Sequence, residues 1–260
     1  MQTVIFHLNA ACSVALAAAF AAPAPQNPAT EEKPIRVLIV TGVDWKGHLW
    51  KETGPALREI LQADPRVDAR LAEDPGFLAA DAVTSYHAIV LYFKNYKLFA
   101  QQEKAQANLL RFVENGGGLV VVHYASGAFE DWPEYRKLIG RAQKIKHDPR
   151  GPFTVNIVDA THPVTAGLKD FVADDELFYD LRGDEPIKVL AAARSKVTGK
   201  DHPMAFVLER GRGRVFHTTL GHDAKALRSP GTSELLRRGV LWASGHTVTN
   251  DQPELMPKIQ

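Results

Sequence analysis

Asn115-Gly-Gly-Gly-Leu-Val-Val-Val-His123-Tyr-Ala-Ser-Gly-Ala-Phe129 is the stretch that decides the fold of this chain. Its middle, residues 119–122, is a continuous apolar run of the kind buried on both faces of a parallel sheet. The run ends in a histidine and a small-residue turn. In open α/β sheets ligands bind in the crevice beyond the carboxyl ends of the strands, so His123 stands where a catalytic elbow would be. A thiol cannot serve there, because the sole cysteine, Cys12, lies near the N-terminus.

The segments on either side continue the pattern. Residues 101–114 form an amphipathic helix with Ala105, Leu109, Phe112 and Val113 on one face, and Gly116 supplies the left-handed residue that ends it. Residues 88–92 read as a central strand, 67–71 alternate like an edge strand, and 35–41 form a β-branched strand that ends at Gly42. Between them Trp50, Leu57, Ile60 and Leu61 recur at helical spacing, with Gly54 and Pro55 expected to break or restart the first turns. Strands alternating with helices predict an α/β domain, a flavodoxin-like or Rossmann-like, mostly parallel sheet covered on both faces. Further strands are expected over 153–158, 187–193, 204–208 and 214–219, the last two joined by a hairpin through residues 209–213, before a closing helix over 235–242.

The chain has 260 residues, 45% of them hydrophobic, and a formal net charge of +1. That composition supports a substantial core and argues against nucleic acid as a partner. Residues 4–22 are nearly uncharged and rich in Ala, Leu and Phe, with Ala19-Phe20-Ala21 as a peptidase-type site, so residues 1–22 read as a signal peptide for a periplasmic or secreted protein. His7 and Asn9 interrupt the run and the n-region lacks Lys and Arg, which keeps lipid attachment at Cys12 as an alternative; as a membrane anchor the run is marginal. Residues 23–34 are a proline-rich linker, 35–245 the domain and 246–260 a tail. The mature chain then has no membrane span and no cysteine, and its stability must come from packing.

Three strand-end loops carry histidine beside an acid or a small residue. They are Thr41-Gly-Val-Asp-Trp-Lys-Gly-His48-Leu-Trp50, His123-Tyr-Ala-Ser-Gly127 and Thr219-Leu-Gly-His-Asp223. Such loops meet in space, so His48, His123 and His222, with Asp44 and Asp223, are expected to line one pocket. Imidazoles with carboxylates suit a divalent metal such as zinc or manganese, and they equally suit acid–base chemistry near neutral pH. The acidic run Asp174-Asp-Glu-Leu-Phe-Tyr179 reads either as a solvated loop or as the source of Glu176 for the site. His147, His162 and His202 sit in turn-like, proline-flanked contexts. The glycine-rich Glu209-Arg-Gly-Arg-Gly-Arg214 has neither the length nor the flanks of a dinucleotide fingerprint, so no nucleotide cofactor is expected. Ser126 lacks a Gly-x-Ser-x-Gly elbow.

In this order, Val-Thr-Gly…Gly-His-Leu-Trp-Lys-Glu-Thr, Gly-Gly-Gly-Leu-Val-Val-Val-His, Thr-His-Pro-Val-Thr, Asp-Glu-Leu-Phe-Tyr and Gly-Arg-Val-Phe-His-Thr-Thr-Leu-Gly-His-Asp resemble the ThuA-like (trehalose utilisation) family. The resemblance implies a class I glutamine amidotransferase-like fold, a three-layer α/β/α sandwich with a flavodoxin-like, mostly parallel sheet. It also implies a role in disaccharide or keto-glycoside metabolism. In true amidotransferases the elbow carries cysteine, served by a His-x-Glu pair; here the elbow falls on His123, or on Tyr124 with a one-residue slip, and His222 is followed directly by Asp223. Glutamine hydrolysis through a thioester therefore does not carry over.

The expected catalytic residues are His123, His222, Glu176 and Asp223. Asp44, Trp45, His48 and Tyr124 are expected to bind substrate, and His48, His123 and His222 to hold a metal. The partner is a small-molecule sugar, with self-association into a homo-oligomer left open. The reaction expected is acid–base or metal-assisted chemistry on a glycoside, of the hydrolase or lyase type. The alternatives are a non-catalytic sugar-binding or partner protein and, last, a hydrolase using Ser126.

Overall fold

The computed structural model describes Met1, residues 33–142 and residues 146–249. The chain divides into two units, Met1–Glu32 and Lys33–Gln260, and every element below belongs to the second. The leader, Cys12, most of the linker and residues 250–260 of the tail lie outside the described residues. No helix among the described residues is long and apolar enough to cross a membrane.

The first half follows the β-α alternation of the sequence: β1 (Ile35–Val40), α1 (Trp50–Gln62), β2 (Val67–Ala72), β3 (Ala88–Leu91), α2 (Gln102–Glu114) and β4 (Gly118–Val122). After a 3-10 turn over His123–Gly127 come α3 (Pro133–Ile139), β5 (Gly151–Ile157), β6 (Phe171–Asp175), β7 (Lys188–Arg194), β8 (Asp201–Arg210), β9 (Gly213–Thr218), the four-residue α4 (Ala224–Leu227) and α5 (Pro230–Ala243).

The nine strands among the described residues join one sheet in the order β2-β1-β3-β4-β9-β8-β7-β5-β6. Its first five positions repeat the 2-1-3-4-5 order of flavodoxin-like sheets, with β9 as the fifth strand, and all four pairings among them are parallel. The expectation of a mostly parallel sheet fails beyond that point. The pairings β9-β8, β8-β7, β7-β5 and β5-β6 are antiparallel, so the sheet is mixed. For the first of these pairings the physical reason is connection length. Two residues, Gly211 and Arg212, join β8 to β9, whereas a parallel crossover needs a dozen or more.

Strand β1 shows how the apolar runs serve two faces at once. Val37 and Ile39 pack into a cluster with Leu57 and Ile60 of α1 and Leu236 and Val240 of α5. Leu38 and Val40 point the other way, into a cluster with Leu109 and Val113 of α2 and Leu138 of α3. Period-two side-chain alternation is the cause, and burial on both faces explains why Val37–Val40 of β1 and the apolar run of β4 read as unbroken hydrophobic strings. The glycine run before β4 has a packing reason: a Cβ on Gly118 would lie 2.5 Å from the backbone of Ala243, so the end of α5 closes directly on the strand.

Helix α1 runs unbroken through Gly54 and Pro55, contrary to the expected break. Proline removes one donor, and the carbonyl it orphans belongs to Lys51, which is exposed and can be solvated. His202 lies in β8 and not in a turn.

Four antiparallel steps, an even number, leave β6 pointing the same way as β9. The carboxyl ends of β1, β4, β9 and β6 therefore lie at one end of the sheet. Packing of β6 against α4 and α5 brings its end back to the loop that follows β9.

Candidate functional site

Each carboxyl end just described delivers one side chain to a common point. His48 comes from the loop after β1, His123 from the end of β4, Glu176 from the residue after β6 and His222 from the loop after β9. Among the described residues these four offer ligand atoms that all lie within 4.8 Å of one another.

The loop after β9 is the template for this convergence. Its Thr219 carbonyl accepts the Nδ1–H of His123 at 2.7 Å, and its His222 carbonyl accepts the Nδ1–H of His48 at 2.8 Å. Both bonds fix a tautomer and leave Nε2 with its lone pair available, the form in which imidazole binds a metal. His48 sits in a tight turn in which its amide donates to the Trp45 carbonyl at 2.8 Å. His123 opens the 3-10 turn with φ of 51°, a left-handed value uncommon for a residue with a Cβ, so the elbow of β4 is strained where the four side chains converge.

Glu176 stands between the imidazoles. Its Oε2 lies 3.2 Å from His222 Nδ1 and 3.6 Å from His123 Nε2. Those distances bracket the about 3.3 Å edge of a tetrahedron built with zinc–nitrogen and zinc–oxygen bonds of about 2.0–2.1 Å. Despite this closeness, His123 Nε2 and His222 Nδ1 are buried without a hydrogen bond of acceptable geometry. Buried polar atoms are rarely left so, and a cation between them would satisfy both. The donor set of three imidazoles and one carboxylate suits a borderline-soft divalent ion.

The electrostatics agree with that donor set. Burial alone would raise the Glu176 carboxyl, but His123 and His222 outweigh it and hold the group well below the usual carboxylate range. Burial, with repulsion from His123 adding to it, lowers His48 to about 3, so its ring is neutral at physiological pH. An ionised carboxylate and a neutral imidazole are the ligand forms.

The remaining expected residues fall in three places. Tyr124 backs the site: its ring stacks on His48 at 4.3 Å and 6°, and its hydroxyl points to the carbonyls of Tyr92 and Val43 at 3.3 and 3.4 Å. Burial pushes that hydroxyl's pKa up, so it remains a donor. Trp45 lies at the rim, 50% exposed and stacked on Tyr96 at 4.3 Å. Asp44 and Asp223 do not join the cluster. Asp44 accepts the Trp50 amide at 3.1 Å at the start of α1. Asp223 caps α4 by accepting the Ala226 amide at 2.8 Å and pairs with Arg150 at 2.6 Å, so both of its oxygens are committed.

Two residues outside the expected set shape the loop. Asp175, 1% exposed, accepts the amides of Gly221 at 2.6 Å and His222 at 3.2 Å. The buried hydroxyl of Tyr92 donates to the carbonyl of Gly221 at 2.6 Å. The side chains of Phe171–Asp175 alternate in burial, which places Ala173 and Asp175 on the inner face. His147 reaches the edge of the cluster, with Nδ1 3.8 Å from Glu176 Oε1, while it bonds the Asp148 carbonyl at 2.8 Å.

Comparison with known proteins connects this fold and site to a family. A crystallised ThuA-like protein from Parabacteroides merdae ATCC 43184 is 28% identical, with a TM-score of 0.75 over 86% of this chain and 95% of its own. A second, from Bacteroides uniformis ATCC 8492, is 19% identical with a TM-score of 0.67 over 84% and 94%. A β-galactosidase from Bacillus circulans shares the fold alone, at 12% identity and a TM-score of 0.55, over 83% of this chain and 32% of that one. No curated protein matches the sequence. The ThuA family, described as trehalose utilisation, matches residues 36–243, which run from the second residue of β1 to the end of α5 and include all four converging side chains. The chain belongs to the ThuA family.

Proposed function

We propose that this protein is a sugar-active enzyme whose His48, His123, Glu176 and His222 hold one divalent cation, zinc or manganese, for acid–base chemistry on a glycoside or 3-keto-glycoside. The observation that carries the reading is the convergence of four ligand atoms within 4.8 Å, with two buried ring nitrogens otherwise unpaired. Family membership supports a role in carbohydrate metabolism in general. The three-layer class I glutamine amidotransferase-like arrangement is our reading of the fold, with α1 and α5 against one face of the sheet and α2 and α3 against the other.

A cation held there would polarise a sugar carbonyl oxygen and acidify the neighbouring C–H, which serves elimination, hydration or isomerisation without a covalent nucleophile. The protein's own groups set the conditions for that chemistry. His48 and His123 arrive with their Nδ1 atoms fixed on backbone carbonyls. Glu176 supplies a permanent negative charge. Trp45 at the rim presents an aromatic face suited to sugar C–H surfaces. The elbow has no thiol, so glutamine hydrolysis through a thioester is not part of the reading.

The test is the divalent-metal content of the purified full chain beside a His123→Ala/His222→Ala variant of equal folded yield, followed by turnover on a glycoside and 3-keto-glycoside panel. Near-stoichiometric metal that disappears in the variant, with turnover lost in parallel, is the expected result. Metal-free protein that stays inert to added zinc or manganese would overturn the metal reading, and sugar binding without turnover would then favour a non-catalytic sugar-binding protein.

A further inference from the structure

We propose that Asp175 is the positioning residue of this centre, holding the Glu176-bearing and His222-bearing segments in ligand register through their backbones. The proposal rests on the metal reading of the site. A carboxylate that is 1% exposed must be compensated, and the hydrogen bonds Asp175 accepts come from backbone amides. Oδ2 takes the Gly221 amide at 2.6 Å, while Oδ1 takes the His222 amide at 3.2 Å and the Glu176 amide at 2.8 Å. One side chain thus ties the amide of one ligand residue to the amide of another that is 46 residues away in sequence.

The consequence reaches all four ligands, because the segment that Asp175 grips also supplies the Thr219 and His222 carbonyls that orient His123 and His48. Gly221 is the point of least stiffness in that segment. Its φ of 110° is available only to glycine, and a Cβ there would lie 2.7 Å from Leu227. A backbone position with that freedom needs an external restraint if the flanking imidazole is to be held, and Asp175 restrains it from the amide side, as Tyr92 does from the carbonyl side. Asparagine is nearly isosteric with aspartate but offers one acceptor atom where aspartate offers two, and its NH2 would face an N–H. In Asp175→Asn at least one amide therefore loses its partner and the His222 backbone shifts.

The experiment titrates Co2+ into the full chain and into Asp175→Asn, reading affinity by competition and ligand geometry from the visible absorption of the bound ion. Amide hydrogen exchange at Gly221 and His222 is measured by NMR in the metal-free parent protein. The expected result is a fall in Co2+ affinity of about 10- to 100-fold in the variant, the typical cost of removing an outer-shell partner, with an altered visible spectrum. In the metal-free parent both amides are expected to exchange slowly. A folded Asp175→Asn protein that binds Co2+ like the parent with an unchanged spectrum would overturn the role of Asp175. Fast exchange of both amides in the parent would do so even if the variant fails to fold. Parent protein that takes up no Co2+ would instead overturn the metal reading itself.

Discussion

His123 Nδ1 lies 2.7 Å from the carbonyl oxygen of Thr219, and this bond holds the ring across the sheet from β4 to the loop after β9 while the His123 backbone keeps φ at 51°. The two facts separate two roles of one residue, since the ring serves the site and the backbone carries strain. A Cβ in the left-handed region costs roughly 1–2 kcal/mol, and glycine escapes that cost. His123→Gly is therefore expected to be more stable than His123→Ala by about 1 kcal/mol in urea denaturation, although both remove the ring from the site. Equal stability would show that the elbow relaxes once the ring is gone.

Asp223 looked catalytic because it follows His222 directly, yet its oxygens hold the Ala226 amide and Arg150. Asparagine preserves an N-cap acceptor, so Asp223→Asn should bind metal with parental affinity. Asp223→Ala should lose about 1 kcal/mol of stability through the missing cap. A tenfold loss of metal affinity in Asp223→Asn would return this residue to the site.

Far from the cluster, Glu234 of α5 accepts both Arg237, at 2.8 and 2.9 Å, and Arg238, all three being buried. Burial would raise the Glu234 carboxyl, but the two guanidinium groups overcome this and lower it. Arg237 also donates to the Thr249 carbonyl at 3.1 Å, and Arg238 to the Ala166 carbonyl at 2.6 Å, so the network fastens two neighbouring segments to α5. Removing that anion leaves Arg237 beside Asp64 at 3.5 Å and Arg238 on the Ala166 carbonyl, two buried cations under-compensated. Glu234→Ala is expected to destabilise the domain by about 3–5 kcal/mol, measured by urea unfolding. A loss below about 1 kcal/mol would show that water or the segment over 247–249 rearranges to solvate the arginines.

Much of this arrangement was legible in residue order. β1 from Val37 onward, β3 and β4 stand out because strands buried on both faces must be apolar, and the three histidines stand out because His123 ends β4 while His48 and His222 lie in the loops that follow β1 and β9. The antiparallel half was harder to read. Phe171-Val-Ala-Asp-Asp175 forms β6, but two aspartates are poor strand residues and the same letters describe a solvated acidic loop. The division of labour among Asp174, Asp175 and Glu176 is set by tertiary contacts. Asp174 is exposed and pairs with Lys225 at 3.2 Å, Asp175 clamps backbone amides, and Glu176 faces the imidazoles. Nothing in composition separates three adjacent acids. Pro133, at the first position of α3, was a helix-start signal, but a seven-residue helix gives too few turns for periodicity to register.

His217 provides a pH prediction independent of the histidine–glutamate cluster. It lies in β9 fully buried, its ring 4.5 Å from Phe206 and its Nδ1–H directed to the Ile139 carbonyl at 3.2 Å, while Nε2 has no partner. Burial lowers its pKa to about 4, against a small upward pull from the Ile139 carbonyl. In the unfolded chain the ring titrates near its ordinary value of about 6.5. Between those two values the unfolded chain takes up a proton that the folded protein refuses, so stability is full above about pH 6.5 and falls as the pH drops toward 4. The difference corresponds to about 3 kcal/mol across that window. Asparagine at this position keeps a donor for the Ile139 carbonyl and does not titrate. His217→Asn is therefore expected to lose less stability than the parent between pH 7.5 and 4, by about that amount, in urea unfolding at stepped pH. Subtracting the two curves removes the contribution of His48, whose lowered pKa acts in the same direction in both proteins. Parallel curves would mean that His217 is charged in the folded state, with Nε2 reaching an acceptor or water that the static packing does not provide.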